Sequence, residues 1–254
     1  MKNNMKNKNL RLVTNIVCLA MLIGMGCNKD SNSNTSTTTA TVPAVFKKFT
    51  TTVVISSDGN FITLKSNGVP DHKSCYFATS DSRYEAYNGS NPAFNKNPNS
   101  IGTKSFVFKI PANPTLDAAH QPTPLGPIGI AVNGVAIYNQ YAGPNQPLTN
   151  EINSFDQYNG HPDPTATYHY HVEPLYITLN QTKSALIGFL LDGFPVYGPS
   201  ENGKTLVSAD LDAYHGHTSV TADYPNGIYH YHITADAPYI NGAGFYGTKG
   251  SVTQ

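Results

Sequence analysis

The chain has 254 residues, equal numbers of basic and acidic side chains, and only 13% charged residues, about half the share usual for a soluble domain. Beyond the first 26 residues, 12 basic groups stand against 16 acidic ones, so the basic stripe that a phosphate backbone requires is missing and nucleic acid is excluded as an expected partner. Three cysteines, Cys18, Cys27 and Cys75, are too few for a disulfide framework or a thiolate-rich zinc site and leave Cys75 as an expected free thiol.

In chain order, Lys2, Lys6, Lys8 and Arg11 lead into the apolar run from Leu12 to Met25, which ends in Gly24-Met25-Gly26-Cys27. A basic start and an apolar run too short to span a bilayer comfortably predict an exported signal peptide over residues 1–26. The small residues before Cys27 resemble the lipobox of bacterial lipoproteins. On that resemblance Cys27 is acylated and becomes the first residue, with Gly24 in place of the usual leucine and ordinary signal-peptidase cleavage as the alternative. Residues 27–44, rich in Asn, Ser and Thr, cannot bury enough surface to offset ordering entropy and read as a flexible tether. The expected location is the bacterial cell envelope, lipid-anchored to the membrane and facing the periplasm or the cell exterior.

A single β-rich domain is expected over residues 45–254. Val45 to Ile55, Phe61 to Leu64 and Lys104 to Ile110 are rich in β-branched and aromatic residues bounded by turn signals, and read as strands. The second half contains one unit written twice, over about 128–174 and 187–236. Ile128 to Tyr138 (IGIAVNGVAIY) matches Ile187 to Tyr197 (IGFLLDGFPVY). Each places Asn133-Gly134 or Asp192-Gly193 between apolar runs, a signal for a type I′ hairpin. The pattern apolar-Asp-x-Tyr-x-Gly-His then occurs at Phe155 to His161 and Leu211 to His217, and Tyr-His-Tyr-His at Tyr168 to His171 and Tyr229 to His232. Four ordered matches at nearly constant offset mark a duplication. The fold class expected is all-β or β-rich α+β, a duplicated hairpin-plus-strand unit with pseudo-twofold halves, sandwich-like or barrel-like.

Strand alternation turns His169 and His171 to one face and Tyr168 and Tyr170 to the other, and likewise His230 and His232 against Tyr229 and Tyr231. Two imidazoles whose backbones are about 6.6 Å apart can tilt together onto one metal ion. His161 and His217, each after a glycine, are candidate third ligands. Asp156 and Asp212 suit a supporting role, accepting the distal imidazole N–H, and Tyr168, Tyr170, Tyr229 and Tyr231 can orient such partners. Nitrogen ligands outside the cytoplasm favour copper or zinc over calcium or magnesium. The Tyr-His alternation also reads as a metal-free polar network locking the two halves together.

These motifs are similar to those of the YHYH-domain family of extracellular proteins. Ser66-Asn67-Gly68-Val69-Pro70-Asp71-His72 and Asn97-Pro98-Asn99 look like further family elements, and the resemblance runs from about Phe49 to Gly247. It adds His72, on sequence alone a turn histidine, to the candidate ligands. Cysteines that family members often carry near the Gly-His element and after the second motif are absent here, so disulfide support is not expected. The family brings no activity with it. The leading expectation is therefore an envelope lipoprotein that captures or handles copper or zinc through His161, His169, His171, His217, His230 and His232. The alternatives are a metal-dependent hydrolase or oxidase on the same histidines, with Asp156, Asp212 or Glu173 as acid or base, and a structural or carbohydrate-contacting surface module without metal.

Overall fold

The computed structural model describes residues 40–254; the expected signal peptide, Cys27 and nearly all of the Asn/Ser/Thr stretch lie outside the described residues. Pro43 leads into a 3-10 turn at Ala44–Lys48, so the strand expected from Val45 begins later, as β1 (Val54–Ser57). Spacing explains the difference. The buried residues Val45, Phe46, Phe49 and Val53 recur mostly every three or four positions rather than alternately, and Phe46 and Phe49 stack on Phe189 with ring centroids 4.5 and 6.1 Å away. Strands β2 (Phe61–Ser66) and β3 (Phe106–Pro111) form where alternation predicts them, burying Ile62 and Leu64, and Phe106, Phe108 and Ile110.

The first copy of the repeat supplies β4 (Pro127–Ala131), β5 (Ala136–Tyr138), the two-residue strands β6 (Tyr141–Ala142) and β7 (Gln146–Pro147), β8 (Gly160–Pro162) and β9 (Tyr168–Tyr170). A short helix, α1 (Leu175–Asn180), leads to the second copy. That copy supplies β10 (Leu186–Leu190), β11 (Pro195–Tyr197), the small strands β12 (Ser200–Glu201) and β13 (Lys204–Thr205), β14 (Gly216–Ser219) and β15 (Ile228–His232), before the final β16 (Ser251–Thr253). Among the described residues no helix is long and apolar enough to cross a membrane.

Two sheets dominate: an antiparallel β1-β2-β3-β16 and an eight-stranded β14-β15-β11-β10-β4-β5-β9-β8. Read outward from its central β10·β4 pair, the large sheet has the same succession on both sides. Register fixes the symmetry: Ile130 lies opposite its own counterpart Phe189, while Gly129 faces Leu190 and Ala131 faces Gly188. The seam also explains why both copies begin Ile-Gly. A Cβ on Gly129 would sit 2.5 Å from the Phe189 carbonyl oxygen, and one on Gly188 would collide with the Ile130 carbonyl.

Both expected hairpins form, but not with type I′ turns. Gly134 and Gly193 have φ of 86° and 83° while Asn133 and Asp192 are not left-handed. The bonds Gly134 N→Ala131 O and Ala131 N→Val135 O, repeated as Gly193 N→Leu190 O and Leu190 N→Phe194 O, define the longer loop in which a left-handed glycine follows the turn and forms a bulge. The Asn133 and Asp192 side chains accept from the amides two residues on, which favours this local shape over a mirror-image turn.

A single buried cluster joins the sheets, combining Ile62, Leu64, Phe106 and Phe108 of the small sheet with Ile128, Ile130, Phe189 and Val196 of the large one. Each such side chain contributes roughly 2 kcal/mol of burial free energy. The result is sandwich-like and not closed into a barrel, since β14 and β8 remain as separate edges. Tyr168, Tyr170, Tyr229 and Tyr231 belong to the core cluster, so the alternating histidines point away from it.

Candidate metal centres

Strand pairing assembles the histidines. In the first half β8 and β9 are antiparallel with His161 directly opposite His169, and in the second β14 and β15 place His217 opposite His230. His171 and His232 follow two residues on and share the face. The Nε2 atoms of His161 and His169 are 3.1 Å apart and those of His169 and His171 3.0 Å. In the second half, Nε2 of His230 and of His232 are 3.1 Å apart. Four ligands at about 2.0 Å around a tetrahedral ion lie roughly 3.3 Å from one another, close to these separations.

The opposite ring nitrogens decide the protonation. Nδ1 of His169 faces the Thr167 carbonyl at 2.9 Å and Nδ1 of His171 the Asn139 carbonyl at 2.6 Å. The second copy repeats this with His230 on Ile228 at 3.0 Å and His232 on Gly198 at 2.8 Å. A carbonyl only accepts, so each Nδ1 carries the proton and each Nε2 presents a lone pair. Nδ1 of His161 donates to Ser154 Oγ at 2.8 Å, because that hydroxyl gives its own proton to the Glu151 carbonyl at 2.7 Å. Lone pairs facing one another near 3 Å repel unless a cation lies between them. The Nε2 of His217 is buried and has no hydrogen-bond partner.

Each cluster has a carboxylate that the sequence reading missed. Glu151, from the 3-10 turn Glu151–Ser154, brings Oε1 to 3.2 Å from His161 Nε2 and 3.9 Å from His171 Nε2. Glu201 on β12 lies 3.2 Å from His217 Nε2 and 3.6 Å from His230 Nε2. One ligand atom from each of Glu151, His161, His169 and His171 lies within 4.8 Å of the others, as does one from each of Glu201, His217, His230 and His232. Each set could hold a metal ion. A signal was present: these are the sole glutamates between the hairpin tyrosine and the Gly-His element in either copy. Tyr138 and Tyr197, which end the duplicated hairpins, were also missed. Tyr138 stacks on His169 at 3.8 Å and Tyr197 meets His230 edge-on at 5.3 Å.

Burial, reinforced by its two histidine neighbours, holds His169 well below the ordinary imidazole pKa. Burial also pushes His171 and His232 down to about 4, so these rings are neutral and ready to ligate at physiological pH.

Other expected site residues lie elsewhere. His72 is on the core side, with Nε2 at 3.0 Å from the Tyr170 hydroxyl and its ring against Tyr158 and Tyr176, and joins neither cluster. Asp156 and Asp212 do not hold imidazoles. Asp156 accepts from Ser74, the Tyr168 hydroxyl and the Tyr158 amide, and Asp212 from the Tyr229 hydroxyl and the amides of Tyr214 and Gly216. The reason is facing: each aspartate closes its own turn and meets the first tyrosine of the motif, while the histidines on the opposite face use main-chain carbonyls. Tyr170 meets Asn133, and Tyr231 donates to Asp192 at 2.6 Å. The four motif tyrosines thus anchor the strands to the hairpin and Gly-His turns and do not orient ligand partners. Cys75 is a buried free thiol.

Both centres open onto clefts. One of about 400 Å³ is bordered by Glu151, His169, His171 and Tyr138, and one of about 700 Å³ by Glu201, His230, His232 and Tyr197. No curated protein and no solved structure matches the chain. The family model described as YHYH protein matches residues 107–206 and 200–244, more than half of the chain and inclusive of both hairpins, both Gly-His elements and both Tyr-His-Tyr-His strands. The chain belongs to the YHYH protein family.

Proposed function

We propose that the protein binds two divalent transition-metal ions, copper or zinc, one in each half, and serves metal capture or handling at the bacterial cell envelope on a lipid anchor at Cys27. The first ion is held by His161, His169, His171 and Glu151, and the second by His217, His230, His232 and Glu201. The observation that carries the reading is the set of converging Nε2 lone pairs whose Nδ1 protons are already committed to carbonyl or hydroxyl acceptors. A metal-free polar network would place a donor opposite each acceptor, and here acceptor faces acceptor. Three imidazoles with one carboxylate suit zinc or copper better than calcium or magnesium, which prefer oxygen.

The clefts favour a second reading, a metal-dependent hydrolase or oxidase on the same residues, because catalysis needs a coordination position that solvent or substrate can reach. Metal analysis of the full chain, purified without a histidine tag, tests the common premise. Two equivalents per chain are expected, falling to one in His169→Ala or His230→Ala and to none in the double variant. Stoichiometric metal that survives the double substitution overturns the proposal.

A further inference from the structure

The two centres share their histidines through duplication, yet their surroundings differ. In the first half the segment before β3 reaches over the edge strand β8. Asn97 and Asn99 both donate to the Pro162 carbonyl, at 3.0 and 3.1 Å, and the Asn95 amide donates to the Asn153 carbonyl at 2.7 Å. Phe155 then covers the imidazoles, its ring 4.8 Å from His161 and 5.8 Å from His171, within a small apolar cluster with Ala142, Leu148 and Val172. The side chain of His161 is 3% exposed.

The second half has no such cover. Its edge strand β14 carries an exposed Thr218 where β8 has the buried Pro162, and the counterpart of Phe155 is Leu211, partly open to solvent. The side chain of His217 is 29% exposed. Glu201 sits on a two-residue strand before the exposed Asn202-Gly203 turn, whereas Glu151 shares its 3-10 turn with Ser154, the residue that fixes His161. The neighbouring cleft is also the larger, about 700 against 400 Å³.

We infer that the centres divide their work: the first retains its ion as part of the fold, and the second exchanges its ion and admits an exogenous ligand. This rests on the metal-binding reading above. Release from a multidentate site requires stepwise detachment of ligands, and a partly exposed imidazole on an uncovered edge strand is the one that detaches first. An added small anion competes best where a protein ligand detaches readily, and in the first centre the Phe155 ring and the Asn97 and Asn99 bonds to β8 hold His161 in place.

The test uses the full chain loaded with two equivalents of cobalt(II), whose visible absorption reports coordination. On challenge with excess EDTA, release is expected in two phases of equal amplitude differing at least tenfold in rate. Azide should shift the spectrum of one equivalent only. His217→Ala removes the fast phase and the azide response, and His161→Ala removes the slow phase. Should His161→Ala fail to fold, as judged by circular dichroism, the Asn99→Ala variant removes a bond to the Pro162 carbonyl without contacting a ligand and should accelerate the slow phase alone. Release at a single rate, an azide response from both ions, or a fast phase that survives His217→Ala overturns the division of work. Failure to take up cobalt or zinc at all defeats the metal-binding reading itself, and the two failures are therefore told apart by the starting stoichiometry.

Discussion

Ser154→Ala should weaken metal binding at the first centre and leave the second untouched. Ser154 Oγ accepts from His161 Nδ1 at 2.8 Å and donates to the Glu151 carbonyl at 2.7 Å, so one hydroxyl sets the tautomer of a ligand and steadies the turn that carries another. Without it, the remaining polar neighbour of Nδ1 is the Asn97 amide nitrogen at 3.3 Å. An amide nitrogen donates, and it stabilises the tautomer with its proton on Nε2, the one that cannot coordinate. Loss of such a supporting hydrogen bond typically lowers metal affinity about 10–100-fold, or roughly 1.4–2.8 kcal/mol. In the second copy Asp210 stands in place of Ser154 and binds Lys204 and the Val207 amide, so the second centre serves as an internal control. Competition with a chromophoric chelator measures both affinities in one sample, and nitrogen NMR of the stripped protein reads the tautomer of His161. A first-centre affinity within twofold of wild type, or an equal loss at both centres, refutes the reasoning.

Stripped of metal, the protein should lose stability on acidification between about pH 6.5 and pH 4. His171 and His232 titrate near 4 in the fold and near 6.5 when unfolded, so the unfolded chain binds more protons across that window. The loss is up to about 3 kcal/mol per ring, and urea unfolding at a series of pH values checks it, with a flat profile counting against buried neutral imidazoles. Gly188→Ala should destabilise by about 3 kcal/mol or more, since its Cβ has no room at the twofold seam and backbone cannot yield cheaply; an unchanged thermal midpoint would contradict the register. Asp192→Ala should cost about 2–4 kcal/mol by orphaning the Tyr231 hydroxyl and Gly247 amide. Asp192→Asn should cost less, because the first copy already uses Asn133 against Tyr170; chemical denaturation that ranks the two variants the other way round is the contrary result.

The duplication was the most legible feature of the sequence, and it carried the fold class, the hairpins and the six clustered histidines. It did so because strand alternation and repeat offsets are local properties. What escaped was set by tertiary contact or by side-chain bonds within a turn. Ala44–Lys48 form a 3-10 turn because Phe46 and the following Phe49 are drawn onto Phe189. The turn type at Asn133-Gly134 and Asp192-Gly193 followed side-chain bonds to nearby amides rather than the dipeptide preference. Asp156 and Asp212 looked like partners of the histidines because they precede them in the motif, yet the turn directs them to the tyrosine face.

The carboxylates show where repeat logic ends. Glu201 lies on the first strand of its small hairpin, where the first copy has Ala142, and Glu151 lies in the 3-10 turn after the matching hairpin. They are therefore not counterparts, and copying one unit could not have supplied both. The His-x-His pairs and their Nδ1 acceptors are inherited together, since Thr167 and Asn139 correspond to Ile228 and Gly198 and act through main-chain carbonyls that tolerate any side chain. Each half has reached an anionic oxygen from a different position and brought it against the same trio of nitrogens. Neutral imidazoles alone do not call for a carboxylate at that point, whereas a divalent cation among them does, because the carboxylate offsets its charge in a buried site.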